Sequence, residues 1–203
     1  MSSTRGRCPV IGLLGGIAAG KTTVARMLAE LGAWPVNADE IGHAVLAQPG
    51  VRGQLVALWG HGVMAPDGSV DRAKVARKAF SEPKELAALE AITHPAILAE
   101  LHRQIAAARA AGAPAIVVDA PLLVETELDA VCDALVFVDC PREVRRRRAA
   151  ERGWDADELA RRERLQTPLD VKRARARFVI DGNGPLETTT RQVQELWQEI
   201  RER

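Results

Sequence analysis

The sequence predicts an α/β fold in which a five-stranded parallel sheet is flanked by helices. Five short apolar runs alternate along the chain with longer segments whose apolar residues recur at helical spacing, and this order is typical of α/β proteins. The first run, residues 10–14, leads directly into a glycine-rich turn and a helix, as expected of a strand buried on both faces. A length of 203 residues and a hydrophobic content of 47% suit a single domain with an ample core.

Composition and charge exclude several classes of protein. A net charge of +1 gives no general attraction to nucleic acid or to a membrane surface, and no apolar stretch approaches the length of a membrane span. Cys8, Cys132 and Cys140 form no C-x-x-C pair, so neither a disulfide framework nor a zinc site is expected. The first residues lack the apolar region of a secretory signal. We therefore expect a cytoplasmic protein, a monomer or weak homo-oligomer, with no nucleic-acid or membrane partner.

The segment after the first apolar run matches a phosphate-binding loop. Residues 15–22 read GGIAAGKT and fit the pattern G-x-x-x-x-G-K-[ST] at every fixed position. Such a turn directs backbone N–H groups and a helix N-terminus at a phosphate. Lys21 is expected to reach the β- and γ-phosphates of a nucleotide, and the Thr22 hydroxyl to ligate Mg²⁺. A chance glycine-rich turn is the alternative, which the strand, lysine, threonine and helix disfavour together. The residues predicted to bind ATP here are Gly16, Ala18, Ala19, Gly20, Lys21, Thr22 and Thr23.

The second apolar run, residues 33–36, is followed by a carboxylate, Asp39. Ligand-contacting residues in open α/β sheets gather at the carboxyl ends of strands, which favours a role for Asp39 in binding. A helix is predicted over about residues 40–48, and Asp39 could equally be its N-cap. The residues alone leave these two interpretations open.

The segment 40–95 predicts a helical insertion between the second and third strands. Helical spacing continues over residues 51–59, and Asp71 is expected to cap a helix over residues 72–80. The insertion is too long for a simple crossover between two strands and suggests a subdomain that binds the phosphoryl acceptor.

The end of this insertion contains the dipeptide His94-Pro95. A short amphipathic helix is predicted around residues 86–92, and a break follows because a residue before proline avoids the helical region. Pro95 then suits the first turn of a new helix to about residue 111. His94 and His43 are lone histidines, which are more often surface or packing residues than catalytic ones.

The third apolar run, residues 115–119, ends in Asp119. This is a Walker-B-like strand, in which the aspartate helps to hold Mg²⁺ or its waters. Many strands end in aspartate, so the interpretation depends on the phosphate loop upstream. A fourth strand is predicted over residues 134–138, a fifth over residues 178–180, and a final helix over residues 186–201.

Arginines cluster between the fourth and fifth strands. Arg145, Arg148 and Arg152 are spaced i, i+3, i+7 and are predicted to share one helical face. Interleaved acidic residues disfavour a nucleic-acid patch, and most of these arginines are expected to lie on a solvated face. In a phosphate-loop protein the better interpretation is a mobile lid whose arginines close over the transferring phosphoryl group. Arg146 and Arg147 are expected to face away from it.

The order of these motifs resembles the dephospho-coenzyme A kinase family over nearly the whole chain. No piece after the phosphate loop is decisive alone, but their shared order is specific. The matching pieces are Leu14-Gly15-Gly16 with Lys21-Thr22-Thr23, Ala38-Asp39-x-Ile41-x-His43, Asp67-Gly68-x-x-Asp71-Arg72, His94-Pro95, Pro121-Leu122-Leu123-x-Glu125, Arg148 and Arg152 with Gln166, and Val179-Ile180-Asp181.

The resemblance implies transfer of the ATP γ-phosphoryl group to the ribose 3′-hydroxyl of dephospho-coenzyme A, with Mg²⁺ as cofactor. It implies a P-loop kinase domain with a core (8–39, 96–140 and 175–203), a substrate subdomain (40–95) and a lid (141–174). Asp39, Lys21 and Arg148 become the catalytic residues, and Arg148 and Arg152 join the ATP site. The implied substrate-side residues are Asp39, His43, Arg72, His94, Pro121 and Leu122, and the implied metal ligands are Thr22 and Asp119.

The chain departs from the family pattern at four positions. Asn37 stands where aspartate is usual, and Arg145 where glutamine is usual. Arg177 and Gly182 replace a common aspartate and asparagine. If that asparagine normally holds adenine, Asn183 or backbone groups are expected to take its place.

Two other functions are compatible with a phosphate loop. One is another small-molecule or nucleotide kinase, which the loop and lid fit equally well. The other is a nucleotide-binding switch without phosphoryl transfer. It lacks support because the chain has no Asn-Lys-x-Asp motif for guanine. A switch would also have no function for a lid and a substrate-binding insertion.

Overall fold

The computed structural model of the protein describes residues 8–202. Its sheet has five strands, and each lies within one residue of its predicted limits. Neighbouring strands all pair in parallel, in the order β2-β3-β1-β4-β5. The predicted α/β fold with a five-stranded parallel sheet is therefore confirmed. The strands are β1 (Val10–Gly15), β2 (Trp34–Asn37), β3 (Ile116–Asp119), β4 (Ala134–Asp139) and β5 (Phe178–Asp181).

The register of the sheet brings the carboxyl ends of the strands to one edge. Asp119 at the end of β3 is level with Leu13 of β1 on one side and with Asn37 of β2 on the other. At the far side, Asp139 of β4 is level with Asp181 of β5. Parallel strands direct every following loop to this edge, which is where open α/β sheets bind ligands.

Nine α-helices accompany the strands within residues 8–202. None of them is both long and apolar enough to cross a membrane. Two short 3₁₀ helices, His61–Val63 and Leu128–Val131, lie between them. The helices are α1 (Lys21–Glu30), α2 (Ala38–Ala47), α3 (Pro49–Trp59), α4 (Arg72–Ala79), α5 (Pro83–Ala110), α6 (Arg142–Ala150), α7 (Ala156–Glu163), α8 (Leu169–Arg175) and α9 (Leu186–Arg201).

The chain divides into two compact units. Residues 8–37 and 105–202 form the first unit, whose core joins the sheet to α1 and α9. The inward residues predicted for the final helix are buried there as expected, namely Val193, Leu196, Trp197 and Ile200.

Residues 38–104 form the second compact unit, which is helical. The substrate subdomain predicted from the sequence covers residues 40–95, so the compact unit is longer at both ends. The predicted cap of α4 is confirmed, because the Asp71 carboxylate accepts the Lys74 backbone N–H at 3.0 Å. The buried apolar residues of the second unit include Ile41, Val45, Val51, Leu55, Val63, Val75, Ala79 and Leu101.

The break predicted at His94-Pro95 is wrong. Helix α5 runs without interruption from Pro83 to Ala110 and has Pro95 inside it. A proline within a helix removes one backbone donor and destabilises the helix. Alanine, leucine and glutamate, which favour helix strongly, dominate both flanks of Pro95. Their combined preference outweighs the local aversion of a residue before proline to the helical region.

Candidate active site

The phosphate loop occupies residues 16–20 between β1 and α1. Gly15, Ala18 and Gly20 have φ angles of 142°, 59° and 107°, which turn the chain sharply from strand into helix. Helix α1 begins at Lys21 as predicted, and its first turn contains no acidic residue. The partial positive charge of the helix N-terminus is therefore not neutralised by its own side chains, and the loop can bind an anion.

The Lys21 side chain folds back across this loop. Its Nζ donates to the carbonyl oxygens of Gly15 and Gly16, each at 3.0 Å, and the residue is only 9% exposed. Burial lowers the pKa of Lys21 to about 8, although the Asp119 carboxylate opposes this shift. A bound phosphate would favour the charged ammonium, because an opposite charge close by stabilises the ionised form. Lys21 is therefore placed to bind a phosphate.

Thr22 and Asp119 meet at the same edge of the sheet. The Thr22 Oγ1 donates to Asp119 Oδ2 at 2.7 Å, and Thr22 is exposed. Both groups are hard oxygen donors of the kind that Mg²⁺ prefers, and kinase sites complete its coordination with phosphates and waters. Within residues 8–202 no group of three or more His, Cys, Asp or Glu side chains could hold a metal, and a nucleotide-bound Mg²⁺ needs none. The two residues fit the metal role proposed for them.

Arg148 of α6 lies against the phosphate loop. Its Nη1 donates to the Ala19 carbonyl at 3.2 Å, and its Nη2 donates to the Gly182 carbonyl at 2.9 Å. The guanidinium thus joins the loop to the segment after β5. Both carbonyls are neutral acceptors, and a phosphate would be a stronger partner for the same fork.

The predicted shared face of Arg145, Arg148 and Arg152 is wrong. Helix α6 ends at Ala150, and Arg152 lies in the exposed turn that follows. Gly153 ends the helix with a φ angle of 81°, a left-handed conformation that glycine adopts without strain. Helical spacing therefore stops before Arg152, because glycine terminates α6 earlier than the run of arginines suggests.

Arg145 is not on a solvated face but is buried, with 4% exposure. Its Nε donates to the Cys140 carbonyl at 3.2 Å, and its Nη1 pairs with Glu163 of α7. A Cβ atom placed on Gly16 would lie 2.8 Å from Nη1, so the guanidinium rests directly on the phosphate loop. In the sequence, the signal that could have indicated this contact is that residue 145 is arginine where the family usually has glutamine. Arg146 and Arg147 are exposed, as expected.

Gly182 stands where the family commonly has asparagine, and its surroundings leave no space for a side chain. A Cβ atom at this position would lie 2.7 Å from the Ala19 carbonyl oxygen and 3.0 Å from a Val138 methyl group. The Gly182 N–H donates to the Asp139 carbonyl at 2.7 Å. Residue 182 therefore has no room for a side chain, and its backbone contacts the phosphate loop directly. Asn183, the predicted substitute, is exposed, and its N–H donates to Asp181 Oδ1 at 2.8 Å.

Four of the predicted substrate-side residues belong to the second compact unit. Asp39 lies within the first turn of α2, which begins at Ala38, so it does not precede the helix as an N-cap would. Asp39, His43 and Arg72 are exposed, and His94 is half-buried on α5. The side chains of Asp39, His43 and Arg72 are therefore accessible to a ligand.

The other two predicted substrate-side residues, Pro121 and Leu122, follow β3 in the first unit. Leu122 is 42% exposed, which is unusual for a leucine beside buried Leu123 and Val124. The loop then reaches Glu125, whose Oε1 accepts the Thr167 backbone N–H at 2.6 Å. The sequence analysis assigned no role to Glu125.

Known proteins show which family shares this arrangement. The family model described as dephospho-CoA kinase matches residues 9–188. A dephospho-CoA kinase of Corynebacterium efficiens is 41% identical over 193 residues, which cover 94% of this chain and 96% of the relative. A dephospho-CoA kinase of Symbiobacterium thermophilum is 43% identical over 192 residues, which cover 93% and 80%.

Solved structures share the fold. A crystal structure from Thermus thermophilus has a TM-score of 0.82 at 32% identity and covers 96% of this chain and 98% of its own. A dephospho-CoA kinase of Campylobacter jejuni has a TM-score of 0.73 at 20% identity, with coverage of 95% and 97%. Shikimate kinase of Acinetobacter baumannii is similar in fold alone, with a TM-score of 0.54 at 18% identity and coverage of 96% and 94%. With a family model that spans the phosphate loop, the Asp119 strand and the arginine segment, the chain belongs to the dephospho-CoA kinase family.

Proposed function

We propose that this protein transfers the γ-phosphoryl group of ATP to the ribose 3′-hydroxyl of dephospho-coenzyme A, giving coenzyme A and ADP, which is the last step of coenzyme A biosynthesis. The observation that carries the proposal is the family match over residues 9–188, since this range includes every residue assigned to the site. In the reaction the hydroxyl oxygen bonds to the γ-phosphorus as the bond from phosphorus to ADP breaks, and the hydroxyl proton is released.

The ATP phosphates are assigned to the phosphate loop. The backbone of Gly16, Ala18, Ala19 and Gly20 surrounds them, and Lys21 exchanges its two carbonyl partners for phosphate oxygens. Arg148 could likewise exchange its partners for phosphate oxygens, because it donates to two neutral carbonyls and to the Cys140 sulfur. Charged groups aimed at the transferring phosphoryl group stabilise the transition state without rearranging solvent.

Thr22 and Asp119 are the residues assigned to hold Mg²⁺. When bound, the ion neutralises charge on the β- and γ-phosphates. The hydrogen bond of 2.7 Å between the two side chains supports this assignment because both oxygens already converge beside the loop.

Asp39 is assigned to orient the acceptor hydroxyl and to accept its proton. The assignment is supported by the position of Asp39 in the chain, in the first turn of α2 and two residues after β2 ends. His43, Arg72, His94, Pro121 and Leu122 are assigned to the rest of the acceptor. We also propose a monomer or weak homo-oligomer in the cytoplasm. The three free cysteines support the location, because they suit a reducing compartment.

A steady-state assay of ADP release from Mg·ATP tests the function. Dephospho-coenzyme A is compared with nucleoside monophosphates, shikimate and gluconate, and with no acceptor. We expect turnover with dephospho-coenzyme A to exceed every other acceptor by at least about 100-fold, the range that specific polar contacts provide. Equal turnover with another acceptor would favour a different small-molecule kinase, and ADP release that no acceptor stimulates would favour a nucleotide-binding switch.

Asp39→Asn tests the acceptor side of the site separately. The substitution keeps the size of the side chain and its compatibility with the first helical turn, but it removes the anionic proton acceptor. We expect kcat with dephospho-coenzyme A to fall by about 100-fold, the lower end for a general base, because a loose transition state demands little of the base. ATP binding and the melting temperature should remain close to wild type. Full activity in a normally melting variant would remove Asp39 from the mechanism.

A further inference from the structure

A buried ion pair lies outside the residues assigned to the reaction. Lys172 of α8 is 1% exposed, and its Nζ lies 2.8 Å from Glu125 Oε1. The same oxygen accepts the Thr167 N–H at 2.6 Å, and Lys172 Nζ is 3.5 Å from Gln166 Oε1. The Glu125 carboxylate therefore holds α8 through Lys172 and the chain before Pro168 through Thr167, and Lys172 holds Gln166.

Helix α8 also contacts the sheet, and it forms two ion pairs whose arginines are exposed. It packs against β1 and β4. Arg173 pairs with Asp139 at the end of β4, and Arg175 Nη1 lies 2.8 Å from Asp129 Oδ2. Helix α7 packs instead against α6, and its buried Leu159 contacts Ala18 and Ala149. The arginine segment is therefore divided at Gln166, with its last part belonging to the core.

We propose that Glu125 and Lys172 are positioning residues that anchor the C-terminal end of the lid. The anchor ends the movable segment at Gln166 and sets the point from which α6 and α7 close over the phosphate loop. Because Glu125 lies three residues after Leu122, the same anchor also positions the loop assigned to the acceptor. The catalytic part of this inference rests on the proposed function.

The chemistry of the pair favours positioning over stability alone. Buried ion pairs often add little stability, since the cost of removing two charges from water offsets their attraction. Here Glu125 Oε2 is also buried and has no hydrogen-bond partner within residues 8–202, and a buried polar atom without a partner lowers stability. A site selected for stability alone would favour apolar side chains of similar volume.

The pair lies within electrostatic range of the catalytic lysine. Burial is the largest cause of the lowered pKa of Lys21, and Lys172 and Glu125 shift it further in opposite directions. Glu125 therefore opposes part of the repulsion that the buried Lys172 exerts on Lys21.

The experiment compares two double variants of the full chain. Glu125→Leu with Lys172→Met removes the ion pair and the acceptor for Thr167, whereas Glu125→Gln with Lys172→Met removes only the charges and keeps an amide oxygen for Thr167. We expect kcat to fall by about 10- to 100-fold in the first variant, as misplacement by about 1 Å can cause, and by clearly less in the second. The KM for ATP should change by less than about threefold in both variants, because neither substitution removes a residue assigned to ATP binding.

Hydrogen exchange supplies a second readout, and Arg175→Met is the control on the same helix. Amides of residues 164–172 should exchange faster in the Leu/Met variant, while exchange in β1, β3 and β4 stays at the wild-type rate. Arg175 is exposed, and its substitution should leave both exchange and kcat near wild type.

Three results would overturn the proposal. One is a folded Leu/Met variant with kcat within about threefold of wild type, since losses that small fall short of a positioning effect. Another is an unchanged exchange rate at residues 164–172, and the third is loss of the folded state in both double variants, which would make the pair a stability element. If wild-type enzyme fails to phosphorylate dephospho-coenzyme A, the proposed function fails, and the exchange measurement still decides whether the anchor exists.

Discussion

At the scale of the residue, Lys21 shows how burial prepares the site for phosphate. Its ammonium is buried and donates to two backbone carbonyls, and its pKa is lowered to about 8 mainly by burial. A buried cation with neutral partners gains more from an arriving anion than a solvated one does. Desolvation of Lys21 therefore strengthens the contact with phosphate that the reaction needs.

Lys21→Ala should reduce kcat by about 100- to 1,000-fold, because it removes a charge that contacts the transferring phosphoryl group. The measurement is ADP release at saturating dephospho-coenzyme A. The melting temperature of the apo variant should not fall, since the substitution removes a poorly solvated charge. Near-normal turnover in the folded variant would contradict the assignment of the phosphate loop.

Gly182 illustrates a residue whose lack of a side chain is essential. Gly182→Ala should destabilise the protein by about 1–3 kcal/mol, the usual cost of overpacking, and should raise the KM for ATP, because the new Cβ displaces the Ala19 carbonyl. Denaturant unfolding and ATP kinetics measure the two effects. Gly184→Ala is the matched control, since its Cβ would approach Thr188 no closer than 3.7 Å. Equal stability of the two variants would show that residue 182 has more room than the structure indicates.

At the scale of the element, α6 presents its arginines in three different environments. Arg145 is buried under the phosphate loop, Arg148 bridges two carbonyls, and Arg146 is exposed beside Glu143. Arg152 lies beyond the helix in an exposed turn. Four similar side chains within one short segment therefore have different roles, decided by the face of the helix and by where the helix ends.

Arg148→Ala and Arg152→Ala should both lower kcat by about 10- to 100-fold if both residues close over phosphate. Only Arg148→Ala should also lower the melting temperature, because Arg148 donates to the Ala19 and Gly182 carbonyls, whereas Arg152 lies in an exposed turn. Arg146→Ala is the control and should change neither quantity. An unchanged kcat in either of the first two variants would remove that arginine from the reaction.

At the scale of the whole molecule, the chain forms two compact units with different compositions of secondary structure. The first contains the whole sheet and the phosphate loop, and the second is helical and contains Asp39, His43, Arg72 and His94. This division separates the residues assigned to ATP from most residues assigned to the acceptor. Each substrate should therefore slow hydrogen exchange in a different part of the chain.

Hydrogen exchange with each substrate alone tests this division. A non-hydrolysable ATP analogue with Mg²⁺ should slow exchange in residues 15–23 and around Gly182, whereas dephospho-coenzyme A should slow exchange within residues 38–104. Bound ligands slow exchange because they stabilise the closed local structure. Protection of residues 15–23 alone by both substrates would show that the second unit does not bind the acceptor.

Local patterns in the sequence determined most of the fold. Buried strands are unbroken apolar runs, the phosphate loop is a fixed spacing of glycine, lysine and threonine, and Asp71 caps a helix through atoms only three residues apart. Each of these features depends on neighbours in the chain, so the residues alone predict its position to within about one or two positions. The continuity of α5 through Pro95 was missed because helix preference acts over a longer stretch than the aversion of one residue.

The tertiary structure decided the contacts between residues distant in the chain. Glu125 pairs with Lys172, Arg148 binds the Gly182 carbonyl, and Thr22 meets Asp119. The motifs could suggest the last contact, but burial of Arg145 and Lys172 could not be inferred, because spacing alone does not say which charged side chains lose their water. Desolvation and steric room depend on what packs opposite a residue, and parallel strands bring those partners together from far along the chain.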